Sequence, residues 1–140
     1  MFRVSRRLDY GLQLMIALAS TPEGRATPTA ALAEKLDIPL PFLHQIGHLL
    51  MQSGLIRATP GPRGGLRLSR SSDEINLRQI ADALEGALEL SPCQECTSDC
   101  PRRLTCTTKM VWNDLQEKVN DHLSAMQLSQ LVEQIEPSLA

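Results

Sequence analysis

The chain has 140 residues, 42% of them hydrophobic and only 3% aromatic, with a formal net charge of −2. That length fits one domain, or a small domain with an oligomerisation element, and its core must rest on Leu, Ile, Val and Ala. No apolar run approaches the roughly 18–20 residues that span a bilayer, which argues against a membrane protein.

The small net charge hides an asymmetry. Residues 1–70 carry nine Lys or Arg against four Asp or Glu, and residues 71–140 carry five against twelve. A basic first half suits a polyanion such as nucleic acid. The opening "MFRVSRRLDYGLQLMIALAS" has basic residues before an apolar stretch, as a signal peptide does. Asp9, Tyr10 and Gln13 interrupt it, and Leu8, Leu12, Met15, Ile16 and Ala19 recur at helical spacing. This predicts a buried amphipathic helix in a cytoplasmic protein.

"TPEGRATP" then reads as a loop, and "TAALAEKLDI" as a helix capped by Thr29 that breaks near Asp37. In "PLPFLHQIGHLLMQSG", Pro41 fits a first helical turn and Gly54 a C-terminal stop. Phe42, Leu43, Ile46, Leu49 and Leu50 form one face; His44, Gln45 and His48 look the other way. Two short helices joined by a tight turn make a helix-turn-helix, whose second helix can enter a DNA major groove. "LIRA", "TPGPRGG" and "LRLSR" follow as strand, loop and return strand, which is a wing. The expected fold is therefore mainly α with a small β-wing: a winged helix-turn-helix with a long C-terminal dimerisation helix. Pro41, His44, Gln45, His48, Arg57, Arg63 and Arg67 are the candidate contacts to double-stranded operator DNA. Gln45 suits bidentate reading of adenine; Arg63, among glycines, suits phosphate or a minor groove.

"INLRQIADALEG" predicts a further helix with Ile75, Ile80, Ala81 and Leu84 inward. From about Thr108, Trp112, Leu115, Val119, Leu123 and Met126 step by three or four along a long helix. A single apolar stripe of this kind predicts a homodimer. "LSQLVEQI" is expected to fold back onto that helix. The boundaries read as 1–86 for the DNA-binding domain, 87–107 for a cysteine-rich loop and 108–140 for the dimerisation helix and tail.

All four cysteines lie in "CQECTSDCPRRLTC", with gaps of two, three and five residues. In a reducing compartment such a cluster points to metal or redox chemistry before structural disulfides. Spacing leaves an iron–sulfur cluster and a tetrathiolate zinc site nearly even, with a thiol–disulfide switch favoured by Arg102 and Arg103 as a third reading. No nucleotide loop or nucleophile–base pair suggests an enzyme.

Taken in order, "LDYGLQLMIALA", "IPLPFLHQIGHLLMQSGLI", "GPRGGLRL", "INLRQIADALEG", C-x6-C-x5-C and "VWNDL" resemble the Rrf-two family of bacterial transcription regulators over nearly the whole chain. The resemblance implies an iron–sulfur cluster on Cys93, Cys100 and Cys106, with Cys96 as the alternative to Cys93. It also implies that Asp9 of the partner subunit is a fourth ligand. The chain departs from the family in four places, one of them a fourth cysteine where family loops usually show three. Pro60 stands where family wings carry an Arg, which shifts that role to Arg63. His44 replaces a Glu of some cluster-binding members, so their operator does not carry over. Lys109 replaces a His of the same members.

Overall fold

A computed structural model describes residues 3–90 and 107–139, with side chains of the last helix as far as residue 134. The elements run α1 (Arg6–Ala19), α2 (Thr29–Leu36), α3 (Leu40–Gln52), β1 (Ile56–Thr59), β2 (Gly65–Leu68), a 3-10 turn (Ser72–Glu74), α4 (Leu77–Glu85), α5 (Lys109–Ala125) and α6 (Leu128–Leu139). The expected order of helix, helix-turn-helix, wing, helix and long helix is the observed one.

The helix-turn-helix is locked by its apolar residues. Leu32 of α2, Ile38 of the turn, and Leu43, Ile46 and Leu50 of α3 are buried in one cluster with Leu14, Met15 and Leu18 of α1. Burial of side chains this size is worth about 1.5–3 kcal/mol each against leaving them exposed. Asp37 ends α2 in the left-handed region at φ 53°, a conformation that short polar side chains tolerate. α2 begins one residue earlier than a Thr29 cap would give, with Pro28 at the cap and Thr29 inside the helix. α3 closes as predicted, with Gly54 past its end at φ 74°.

β1 and β2 pair antiparallel, Ile56 with Leu68 through Thr59 with Gly65. A third segment joins them: Thr27 exchanges two backbone hydrogen bonds with Leu66, at 2.9 and 2.8 Å. The wing is thereby fastened to the strand-like stretch that leads into α2. α4 opens on a capping box, in which Asn76 and Gln79 satisfy each other's backbone N–H groups.

The C-terminal part holds a difference from expectation. α6 packs on α1 and the 3-10 turn rather than folding back along α5. The reason is a short antiparallel bridge between Asn76 and Gln127, in which Leu77 N–H donates to Met126 and Leu128 N–H to Ile75. Leu128 is fully buried in the same core as the helix-turn-helix.

Candidate nucleic-acid interface

α3 presents two chemically distinct faces. Leu43, Ile46 and Leu50 are fully buried, and Gly47 lies under Leu66 of the wing. The opposite face turns Pro41, His44, Gln45 and His48 to solvent. Their spacing of three or four residues puts them along one side of a helix that its core cannot let rotate. Both α2 and α3 start at a proline without a side-chain cap, so first-turn N–H groups remain available to phosphate oxygens.

Tyr10 of α1 meets Phe42 of α3 edge to face at 5.5 Å between ring centres. This contact brings Arg6 to a cleft it shares with Pro41, Phe42 and Gln45. Arg6 was not among the residues predicted from sequence. Its signal was weak, because only the Tyr10–Phe42 contact carries the start of α1 to the recognition helix.

Arg63 is exposed at the wing tip, where it lines a second cleft with Gly24, Arg25, Ala26 and Pro28. Gly65 makes that approach feasible. Its φ is 147°, and a Cβ there would lie 2.0 Å from the Thr27 carbonyl oxygen. Arg57 is exposed and sits directly across the ladder from Arg67. Like charges directly opposite are unfavourable in a sheet, and an anionic partner relieves them. Arg57, Arg63 and Arg67 take part in no ion pair among the described residues.

Asp9 lies exposed in the first turn of α1, where its carboxylate accepts a hydrogen bond from Gln13 Nε2 at 3.0 Å. Cys93, Cys96, Cys100 and Cys106 lie outside the described residues. Among the described residues no three His, Cys, Asp or Glu side chains gather as a metal site, so His44 and His48 stand without a third ligand. The segment that carries the cysteines has a described root: Leu90 N–H donates to Gln116 Oε1 at 2.8 Å, and Gln116 is a buried polar residue of α5.

The end of α4 is clamped to the start of α1. Arg7 forms an ion pair with Glu85 at 3.0 Å, and Ser5 Oγ donates to the same carboxylate. Hydrogen bonds from Arg7 and then Ser5 hold the Glu85 carboxyl below its ordinary value, and Glu85 raises Arg7 in return. One turn on, Leu84 lies so close over Gly11 that a Cβ there would meet its side chain at 2.2 Å.

A core-locked helix-turn-helix, a basic wing and a polar outward face on the second helix define a winged-helix DNA-binding regulator. Comparison with known proteins narrows the class. The Rrf2 family model, described as an iron-dependent transcriptional regulator, matches residues 4–134, and the chain belongs to that family. It is 28% identical to the regulator IscR of Erwinia tasmaniensis over 130 residues, covering 93% of this chain and 78% of that one. The structure of CymR, the global cysteine regulator of B. subtilis, superposes with a TM-score of 0.79 at 25% identity, covering 95% of this chain and 98% of that one. T. potens IscR gives a TM-score of 0.80 at 24% identity, covering 99% and 92%, a likeness of fold. These relatives are transcription regulators and not enzymes. No described helix is long and apolar enough to cross a membrane.

Proposed function

We propose that this protein is a homodimeric transcription regulator whose operator affinity is set by an iron–sulfur cluster that senses redox, nitric oxide or iron status. The observation that carries the DNA-binding part is the outward face of α3. Pro41, His44, Gln45 and His48 are exposed on a helix whose other side is fully buried, and Arg63 is exposed on the wing. Arg57 and Arg67 add phosphate contacts along the wing. On this reading residues 1–86 bind DNA, 87–107 hold the cluster, and 108–140 supply the dimer contact and tail.

The donor set fits the cluster. Four thiols fall within fourteen residues, and thiolates are the ordinary ligands of iron–sulfur centres. Cys93, Cys100 and Cys106 would hold it, with Cys96 able to stand in for Cys93. Asp9, whose exposed carboxylate accepts one hydrogen bond from Gln13, would add a ligand from the partner subunit. When bound, the cluster supplies a centre that oxidants, nitric oxide or iron scarcity alter.

The protein's own residues give that change a route. The loop leaves the clamp of Leu84 and Glu85 on α1, and α1 reaches the recognition helix through Tyr10 and Phe42. Asp9 lies on the same α1. A shift at the loop root therefore loads the helix that supports α3. Such a link counts as a signal only if the two states bind DNA differently.

A second reading keeps the same DNA-binding half but makes the cysteines a thiol–disulfide switch or a structural zinc site. Two features favour it: a fourth cysteine, and the likeness to CymR, a cysteine regulator. One labelled operator titrated with anaerobic protein, then with chelated apo-protein, separates them. The cluster reading expects iron-dependent absorbance and affinities that differ by roughly 5- to 150-fold. Colourless protein with bound zinc, or identical curves, supports the second.

A further inference from the structure

At the root of the wing, away from its tip, a cleft of about 290 Å³ opens between the end of α1, the loop after it and the stretch that follows β2. Three arginines line it: Arg25, Arg67 and Arg70. Among the described lining residues Glu23 is the one carboxylate, so their net charge is +2. None of the three arginines has an ion-pair partner among the described residues. Arg67 is the informative one, because its Nε is buried and has no hydrogen-bond acceptor among the described residues. Buried polar groups are almost always paired, so an unpaired N–H on a side chain that lines a basic cleft is consistent with an acceptor bound there. Arg70 also borders a neighbouring cleft with Asp82, but Asp82 is engaged by Arg78 at 3.7 Å.

We propose that this cleft is a binding site for a phosphate-type oxyanion, gripped by Arg25, Arg67 and Arg70. Guanidinium groups match the planar pairs of oxygens on a phosphate, and more than one of them suits a group of charge near −2 better than a lone carboxylate. The volume, at the low end for small-molecule clefts, admits a phosphate with a modest organic body or a stretch of nucleic-acid backbone. Arg25 also lines the cleft that holds Arg63, so a basic track runs from the wing tip to its root. The phosphate therefore has two sources: a phosphodiester of DNA beyond the recognition helix, or a free phosphorylated molecule. The DNA arm alone rests on the function proposed above.

Inorganic phosphate and pyrophosphate, titrated into the full chain in chloride buffer, should move the Arg67 Nε–H resonance in nuclear magnetic resonance spectra. Arg70→Gln and Arg25→Gln, both at exposed positions, should each weaken that binding by about tenfold, as loss of one charge-assisted hydrogen bond does. Glu23→Gln should tighten it, an outcome that damage to the fold cannot mimic. The salt dependence of binding to a random-sequence duplex then names the source. A DNA phosphodiester in the cleft predicts a slope lower by about 0.9 for each arginine removed. A free phosphorylated ligand predicts an unchanged slope in the same variants whose anion binding is weakened. The proposal is wrong if neither anion moves Arg67 and the slope does not change, or if the variants bind both anions as the parent chain does. Absence of any duplex binding would instead sink the regulator reading, and the anion titration would still decide this site.

Discussion

A methyl group at Gly65 would meet the Thr27 carbonyl oxygen at 2.0 Å, on a backbone already at φ 147°. Both the strain and the collision fall on backbone, which cannot swing aside as a side chain can. Gly54 is the useful contrast, since its φ is 74° but nothing lies within 4 Å of its Cβ position. Gly65→Ala should cost roughly 2–5 kcal/mol in urea unfolding, and Gly54→Ala only about 1 kcal/mol. Equal costs would mean that the wing is not fastened to Thr27. Arg63 and Gln45 divide in a similar way on the DNA side. Arg63→Ala should weaken binding to all duplexes and flatten the salt dependence by about one unit, whereas Gln45→Ala should change which base is preferred at one operator position by about 1–3 kcal/mol. Selection from a random duplex pool, run for both variants, reads the difference. The outward set of α3 was legible in the sequence because period 3.6 separates faces without tertiary information. Arg6, Arg25 and Arg70 were not legible, since they reach their clefts through contacts between segments distant in sequence.

At the scale of elements, the crossing of α1 and α4 combines a polar clamp with a steric one. Glu85 has its carboxyl held low by Arg7 and Ser5, so folding favours its ionised form. The stabilisation is therefore complete above the ordinary glutamate value of about 4.3 and is lost as pH falls through it toward the lower folded value. Arg7 is half exposed, which limits the pair to about 0–1 kcal/mol. Glu85→Gln should thus lower the melting temperature slightly at pH 7 and by progressively less as pH falls below about 4. A difference that persists undiminished in acid would assign the effect to packing rather than charge. The sequence announced both helices through their apolar spacing. It gave no sign of their crossing point, because Gly11 reads as a helix weakness until Leu84 is seen lying over it. The α6 expectation failed for a related reason. A bridge of two hydrogen bonds between residues 75–77 and 126–128 has no periodic signature, yet it directs the last helix onto α1.

For the molecule as a whole, α5 is the element least satisfied by its own chain. Met110, Val111 and Trp112 are 79%, 58% and 40% exposed, and Leu115, Val119 and Leu123 are only half-buried. An apolar edge of this kind suits a second copy of α5, as the proposed homodimer requires. Glu at both Leu115 and Val119 should yield monomers in sedimentation and reduce operator affinity by the loss of one half-site. A parent chain that sediments as a monomer at micromolar concentration would overturn the dimer.

The bridge between Asn76 and Gln127 also bears on how the protein is made. Leu128 is fully buried among Ile75, Leu14 and the helices of the DNA-binding half, so that half lacks a core side chain until residue 128 has been synthesised. Local helices can form as the chain emerges, but the long-range contact that seals them waits on closure of a loop about fifty residues long. A nascent chain stalled within the cysteine segment is thus left with an unsealed core, and the helix-turn-helix is completed only after the cysteine segment and α5 have been made.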